Sequence, residues 1–394
     1  MSRILWRPRF RDGAFSLGIG LMILSLLLLP KQSVSAAGDG VQLCLNVILP
    51  SLFPFFVLST LCVDSGMIRA LGTLMQPLMA PLFRVGGCCA GAFLLGIIGG
   101  YPVGARTAIS LYESGQCSRD EAERLLSFCN NSGPAFILGV VGAGIFSSSK
   151  AGLWLYGAHV AASILVGIVF RFYGKRTVTS GNAVLPFTHN RSLTVIFIEA
   201  VKNAFSSTLN ICAFVIFFTV VIRLLFLTGV ITHLAMLLST LLGSLGLRQD
   251  MAESLLSGAI EMTSGVWSLR DMAASLGSRM CMAAFILGWA GLSVHCQVLS
   301  FIGQSGLSTR TYFFGKLLHG FLSAGLVWLL SVALGWNDSV SAILAGQVTT
   351  IARLSFRRAL TVSLSTALLL GLIFVAVSLF SGAKGAFHRR GNRI

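Results

Sequence analysis

Residues 127–136 read SFCNNSGPAF, with Cys129, Asn130, Asn131, Ser132, Gly133 and Pro134 at the centre. Beside water this would be an ordinary turn. Here Leu125 and Leu126 precede it and Ile137 and Leu138 follow, so its meaning depends on the solvent around it. The chain is 55% hydrophobic and only 11% charged over 394 residues, against about 25% charged in soluble domains. Its mean hydropathy is +0.84. Apolar runs of roughly 17–25 residues recur and match a bilayer core about 30 Å thick. The alternating segments of about 10 residues that an outer-membrane barrel needs are absent. The class is therefore an all-α polytopic membrane protein, a single integral membrane domain over 1–394. In hydrocarbon an unpaired backbone group is costly, so a non-helical stretch survives only where it lines a cavity or packs inside protein. The stretch predicts a span broken in mid-membrane, with Pro134 opening the second half-helix and Asn131 or Ser132 capping it.

Twelve apolar segments follow from the polar breaks: 13–30, 41–63, 67–83, 88–111, 122–147, 151–171, 204–227, 232–246, 252–270, 279–303, 312–336 and 360–381. The third and eighth are short enough to be interfacial. The second to sixth repeat as the seventh to eleventh, displaced by about 160 residues and by five segments. An odd displacement reverses direction across the membrane and predicts two inverted-topology repeats with broken helices, about 10–12 transmembrane helices in all. The parts are a basic end and first span (1–40), repeat 1 (41–173), a basic loop (174–203), repeat 2 (204–336), and a loop, last span and basic tail (337–394). Lys and Arg favour the ends and loops on the side of the N-terminus, which places both termini in the cytoplasm. The first segment follows a basic stretch and is long for a signal peptide; cleaved or not, the basic end stays inside.

GGYPVGAR (99–106) repeats the breaking device, with Pro102 opening a half-helix. Thr263, Ser264 and Gly265, and Gly288 to Gly291, are the matching weak points of repeat 2. Four half-helix N-termini would then face the midplane, each carrying roughly half a positive charge, and such a centre favours an anion. The candidate substrate contacts are Tyr101, Pro102, Arg106, Asn130, Asn131, Ser132, Gly133, Thr263 and Ser264. Charges inside spans are functional by default. Glu261 is accordingly either a proton-coupling group or the ion-pair partner of Arg106.

The remaining features bound the function. The net charge of +16 lies at span ends and tails, which suits anionic lipid and excludes a nucleic-acid stripe. Nine cysteines form no CxxC pair and the six histidines no ligand spacing, so neither metal nor cofactor is expected. No GxSxG, HExxH, Walker or GxGxxG pattern is present, and the chain is read as not an enzyme. Ser118 with Glu121 three residues on is a capping box opening a helix.

GYPVGA (100–105), SFCNNSGPAFILGVVG (127–142) and NVILPSLFPFFVLS (46–59) together resemble the sporulation integral membrane protein family known as YlbJ or SpoVV. That family carries a nucleoside-recognition (Gate) domain similar to part of the concentrative nucleoside transporters. The resemblance covers roughly 41–336. It implies transport of dipicolinic acid, a small aromatic dianion, from mother cell toward forespore across the outer forespore membrane. The alternatives are a permease for nucleosides or related metabolites, and a membrane scaffold that recruits sporulation partners through loop 172–203 and the basic tail Lys384–Arg393. Expected partners are the small anionic substrate and lipid, with no nucleic acid. A homo-oligomer or a complex with sporulation proteins is open.

Overall fold

The structure, a computed structural model, describes residues 6–64, 67–174 and 193–334, all helices and short connections. The expected last span and basic tail (337–394) and most of the basic loop lie outside the described residues.

Two long elements form a frame. The first runs from α2 (Pro30–Leu43), which follows α1 (Trp6–Leu28), through a π-helical turn (Cys44–Ile48) into α3 (Leu49–Asp64). The second is α9 (Leu193–Leu227), antiparallel to it. A close approach holds them together, since a Cβ on Gly40 would lie 3.0 Å from the Ile216 Cα. Asp39 and Arg223 pair at 3.1 Å, and Phe53 meets Phe205 edge-on at 6.2 Å. The start of α9 marks one face of the protein, called here the loop face.

Against this frame the chain builds one three-part unit twice. The first copy begins with α5 (Ala90–Gly99) and α6 (Val103–Glu113), which turn back on each other at Gly100–Pro102. Two glycines allow the arms and the next segment to touch: a Cβ on Gly96 or Gly104 would run into the Cys129 carbonyl. Gly100 turns at φ 75°, a conformation that favours glycine. Next comes α7 (Arg119–Phe128), opened by the expected capping box at Ser118 and Glu121. A non-helical break at 129–133 leads through Pro134 into a π-helix (Ala135–Ile145), and α8 (Ser149–Phe170) returns antiparallel. The second copy is α11 (Gln249–Ile260) with α12 (Met262–Trp267), then α13 (Leu276–Trp289) with α14 (Gly291–Ser305), then α15 (Thr309–Ala333). Its hairpin closes where a Cβ on Gly265 would overlap the Gly258 Cα. Its break is compressed to Ala290 and Gly291, both left-handed at φ 79° and 75°.

The copies run in opposite directions, as the displacement of the segments predicts. The Ser308 N–H, just before α15, donates to Glu123 near the start of α7 at 2.9 Å. The α8 hydroxyl of Ser163 donates back to the Phe128 carbonyl at the end of α7. So α15 runs against α8, its counterpart. His159 and His319, 160 positions apart, stack at the junction with ring centroids 4.2 Å apart.

The count of crossing segments is corrected in matched pairs. Segments 88–111 and 252–270 are not broken spans; they are re-entrant hairpins that enter from opposite faces and return. Segments 67–83 and 232–246 are α4 (Met67–Phe83) and α10 (Val230–Leu242), and each begins and ends on one face. The Thr73–Phe83 and Gly87–Gly99 helices meet at 114°. Hydropathy cannot separate a span from two short arms buried in protein, because both are apolar. One hairpin and one interfacial helix replace two spans in each copy, so the inside–outside order is unchanged.

Candidate functional site

Both hairpin tips, the first break and α14 border one small cavity of about 50 Å³ between the repeats and the frame. Gly100 and Tyr101 reach it from the first tip, Ser132 and Gly133 from the first break. Glu261, Met262 and Thr263 come from the second tip, and Ser293, Val294 and Gln297 from α14. The opposite wall is apolar: Leu52 and Phe56 of α3, Phe136 of the π-helix, and Ile211, Phe214 and Val215 of α9. Such a lining, apolar with a few converging polar groups, has the make-up of a small-molecule site. Four half-helices begin around it, at Val103, Ala135, Met262 and Gly291.

The first break shows how a polar stretch survives in an apolar run. Asn131 does not cap the following helix, nor does Ser132; this corrects the expectation. The Asn131 side-chain amide donates back to the Phe128 carbonyl at 2.9 Å, closing the end of α7. The Ser132 N–H donates to His159 Nε2 at 3.0 Å. Asn131 Oδ1 and Ser132 Oγ are buried without a hydrogen-bond partner, and Ser132 lines the cavity. A buried hydroxyl without a partner is uncommon and marks a place where a ligand or water belongs.

The second tip is organised by Glu261. It is 3% exposed, and its two oxygens accept from the Thr263 N–H at 2.9 Å and the Ser264 N–H at 2.6 Å. It therefore caps α12 and makes no pair with Arg106. Arg106 is exposed and stands over the Phe301 ring at 6.0 Å. The two lie on hairpins that enter from opposite faces, which keeps them apart.

The candidates thus divide among three spaces. Tyr101, Ser132, Gly133 and Thr263 line the central cavity. Pro102 and Arg106 line a larger vestibule of about 640 Å³ toward the loop face, opposite a polar stripe on α9 of Asn203, Ser206, Ser207 and Asn210. This vestibule shares Phe56, Tyr101, Ile211 and Gln297 with the cavity. Ser264 instead lines spaces toward the opposite face, with its hydroxyl 3.3 Å from that of Thr219. Those spaces share no lining residue with the cavity. Asn130 and Asn131 stand behind the lining.

The sequence reading missed the group that ties the repeats together. Lys316 is 1% exposed, and its ammonium contacts the Tyr101 hydroxyl at 2.7 Å and the Asn130 carbonyl at 3.0 Å. The Tyr101 hydroxyl in turn donates to the Leu287 carbonyl at 2.8 Å. A signal was present: a lysine inside the apolar run TYFFGKLLHGF, with a histidine three residues on. Among the described residues no group of three His, Cys, Asp or Glu is placed to hold a metal.

Two inverted repeats with re-entrant hairpins and broken helices around a midplane cavity define a transporter-like integral membrane protein. Solved structures agree in fold: the concentrative nucleoside transporter CNTnw in an inward-facing substrate-bound state covers 83% of this chain and 87% of its own, with TM-score 0.52 and 13% identity. A single-substitution variant of CNTnw in its intermediate 2 state gives TM-score 0.53 over 84% and 88%, at 14% identity. Residues 45–148 match the Gate family, described as nucleoside recognition. Sporulation integral membrane protein YlbJ of Bacillus subtilis (strain 168) is 32% identical over 328 residues, 78% of this chain and 80% of that protein. The chain belongs to the YlbJ family.

Proposed function

We propose that this chain transports a small organic anion by alternating access between its repeats, and that the anion is dipicolinic acid. The observation that carries the reading is the convergence of two hairpin tips, the first helix break and α14 on one cavity that shares its rim with the vestibule. Its wall of Leu52, Phe56, Phe136 and Phe214 suits a flat ring, and the tips and breaks on the other side suit carboxylates. Glu261 already occupies the N-terminus of α12, and Lys316 balances its charge. The three remaining half-helix N-termini leave the centre positive. The unpaired Ser132 hydroxyl is free to donate to a carboxylate, and Thr263 faces it from the other repeat. Arg106 in the vestibule would meet the anion first. The space toward the loop face would close as the space toward Ser264 opens, with Glu261 keeping the second tip intact. With the loop face in the cytoplasm, the direction would be out of the mother cell across the outer forespore membrane.

A second reading, a nucleoside permease, draws on the Gate match and the CNTnw fold. The test is uptake by vesicles containing the purified protein alone. Saturable dipicolinate entry that is lost in Asn131→Ala and Ser132→Leu, and is not inhibited by nucleosides, supports the first reading. Entry of nucleosides in its place supports the second. Entry of neither refutes transport and leaves a scaffold, which would need the 174–203 loop and the basic tail.

A further inference from the structure

The surroundings of Lys316 determine its charge state by hydrogen-bond bookkeeping. Three atoms converge on its Nζ: the Asn130 carbonyl at 3.0 Å, the Tyr101 hydroxyl at 2.7 Å and His319 Nδ1 at 3.2 Å. A carbonyl can only accept. The Tyr101 proton is committed to the Leu287 carbonyl, so the Tyr101 oxygen accepts as well. His319 Nε2 faces the His159 carbonyl at 2.9 Å, which places the ring proton there and leaves Nδ1 with its lone pair. Three acceptors require three N–H groups, and among the forms of lysine only the ammonium has them. Were His319 doubly protonated instead, the positive charge would still belong to the Lys316–His319 pair.

The location is as informative as the charge. Asn130 lies in the unwound break after α7, and Tyr101 at the tip of the first hairpin. In transporters built from broken helices, unwound carbonyls and half-helix C-termini are the groups that hold a coupling Na⁺ or H⁺. Here such a group is already occupied by a side chain from the other repeat.

We propose that the Lys316 ammonium is a tethered substitute for a coupling metal cation, filling the oxygen nest between the first hairpin tip and the first helix break. The protein then assembles and binds without Na⁺ or K⁺. The nest is lost or kept with the chain, and the charge crosses no membrane with the substrate. The inference rests on the transport reading for its meaning. Its test uses no substrate, so the two can fail separately.

The experiment is thermal unfolding of the full-length protein in detergent, in NaCl, LiCl, KCl or choline chloride at equal ionic strength. The wild-type midpoint is expected to be the same in all four salts. Lys316→Ser, which empties the nest and leaves a hydroxyl, is expected to unfold at a lower temperature in choline. Part of that loss should return saturably with Na⁺ or Li⁺. A wild-type midpoint that rises saturably with Na⁺ or Li⁺ over choline overturns the proposal, and this arm decides whether or not the variant accumulates. A folded Lys316→Ser that responds to no cation, or equally to all four salts, overturns it too.

Discussion

Replacing Glu261 by alanine tests how the second hairpin tip is held. The carboxylate is buried and satisfies two N–H groups of α12, those of Thr263 and Ser264. Alanine leaves both donors without their protein partner. Each orphan costs about 1–3 kcal/mol, and loss of a negative charge at a helix start adds about 0.3–1 kcal/mol. The expected destabilisation is therefore about 2–7 kcal/mol. Glutamine keeps one acceptor oxygen and should fall between alanine and wild type. Two tryptophans report on the tip directly. Trp267 ends α12, and the Trp289 indole N–H donates to the Ala259 carbonyl at 3.2 Å. Denaturant unfolding in detergent, followed by tryptophan fluorescence, gives the order wild type, Gln, Ala. If Glu261→Ala unfolds with the wild-type midpoint and only transport is lost, the capping argument is refuted and Glu261 acts on the substrate or its proton.

Gly104→Val should destabilise by at least about 1–3 kcal/mol, because its Cβ would overlap the Cys129 carbonyl; Gly157→Ala, where a Cβ meets nothing within 4 Å, should stabilise α8 by about 0.5–1 kcal/mol. Thermal melts of the two variants side by side check both signs. Tyr101→Phe removes the bond to the Leu287 carbonyl and one acceptor from Lys316, and should lower stability by about 1–3 kcal/mol in the same assay. Arg106→Ala, at an exposed vestibule position, should raise the apparent KM for dipicolinate roughly two- to fivefold with the maximal rate unchanged. A lost maximal rate would place Arg106 at the central site instead.

Much of this arrangement is legible in the chain before any coordinates. The break after Cys129 follows from the rule that backbone polar groups in hydrocarbon need partners, and the inverted repeat from the odd displacement of the segments. The positions of Ser132, Gly133, Tyr101 and Thr263 around the cavity follow from the repeat displacement. The hairpins were not legible, because Gly96 with Gly104 and Gly258 with Gly265 only reveal close packing once the arms are known to face each other. The capping of α12 by Glu261 is not legible, because a carboxylate in an apolar run reads as a coupling group or an ion-pair partner until the helix start beside it is known. Direction along the frame separates Arg106 from Glu261, and direction is a property of the whole topology. Lys316 was passed over since the run around it reads as an ordinary span.

The central claim is that Ser132 lies in a midplane cavity reached in turn from each face. Ser132→Cys, with the native cysteines replaced, can be placed in sealed vesicles and treated with a membrane-impermeant thiol reagent from one side at a time. The account predicts labelling from the loop face, labelling from the opposite face as the repeats exchange, and protection from both by dipicolinate. A thiol that reacts from neither side, or whose rate dipicolinate leaves unchanged, would contradict it.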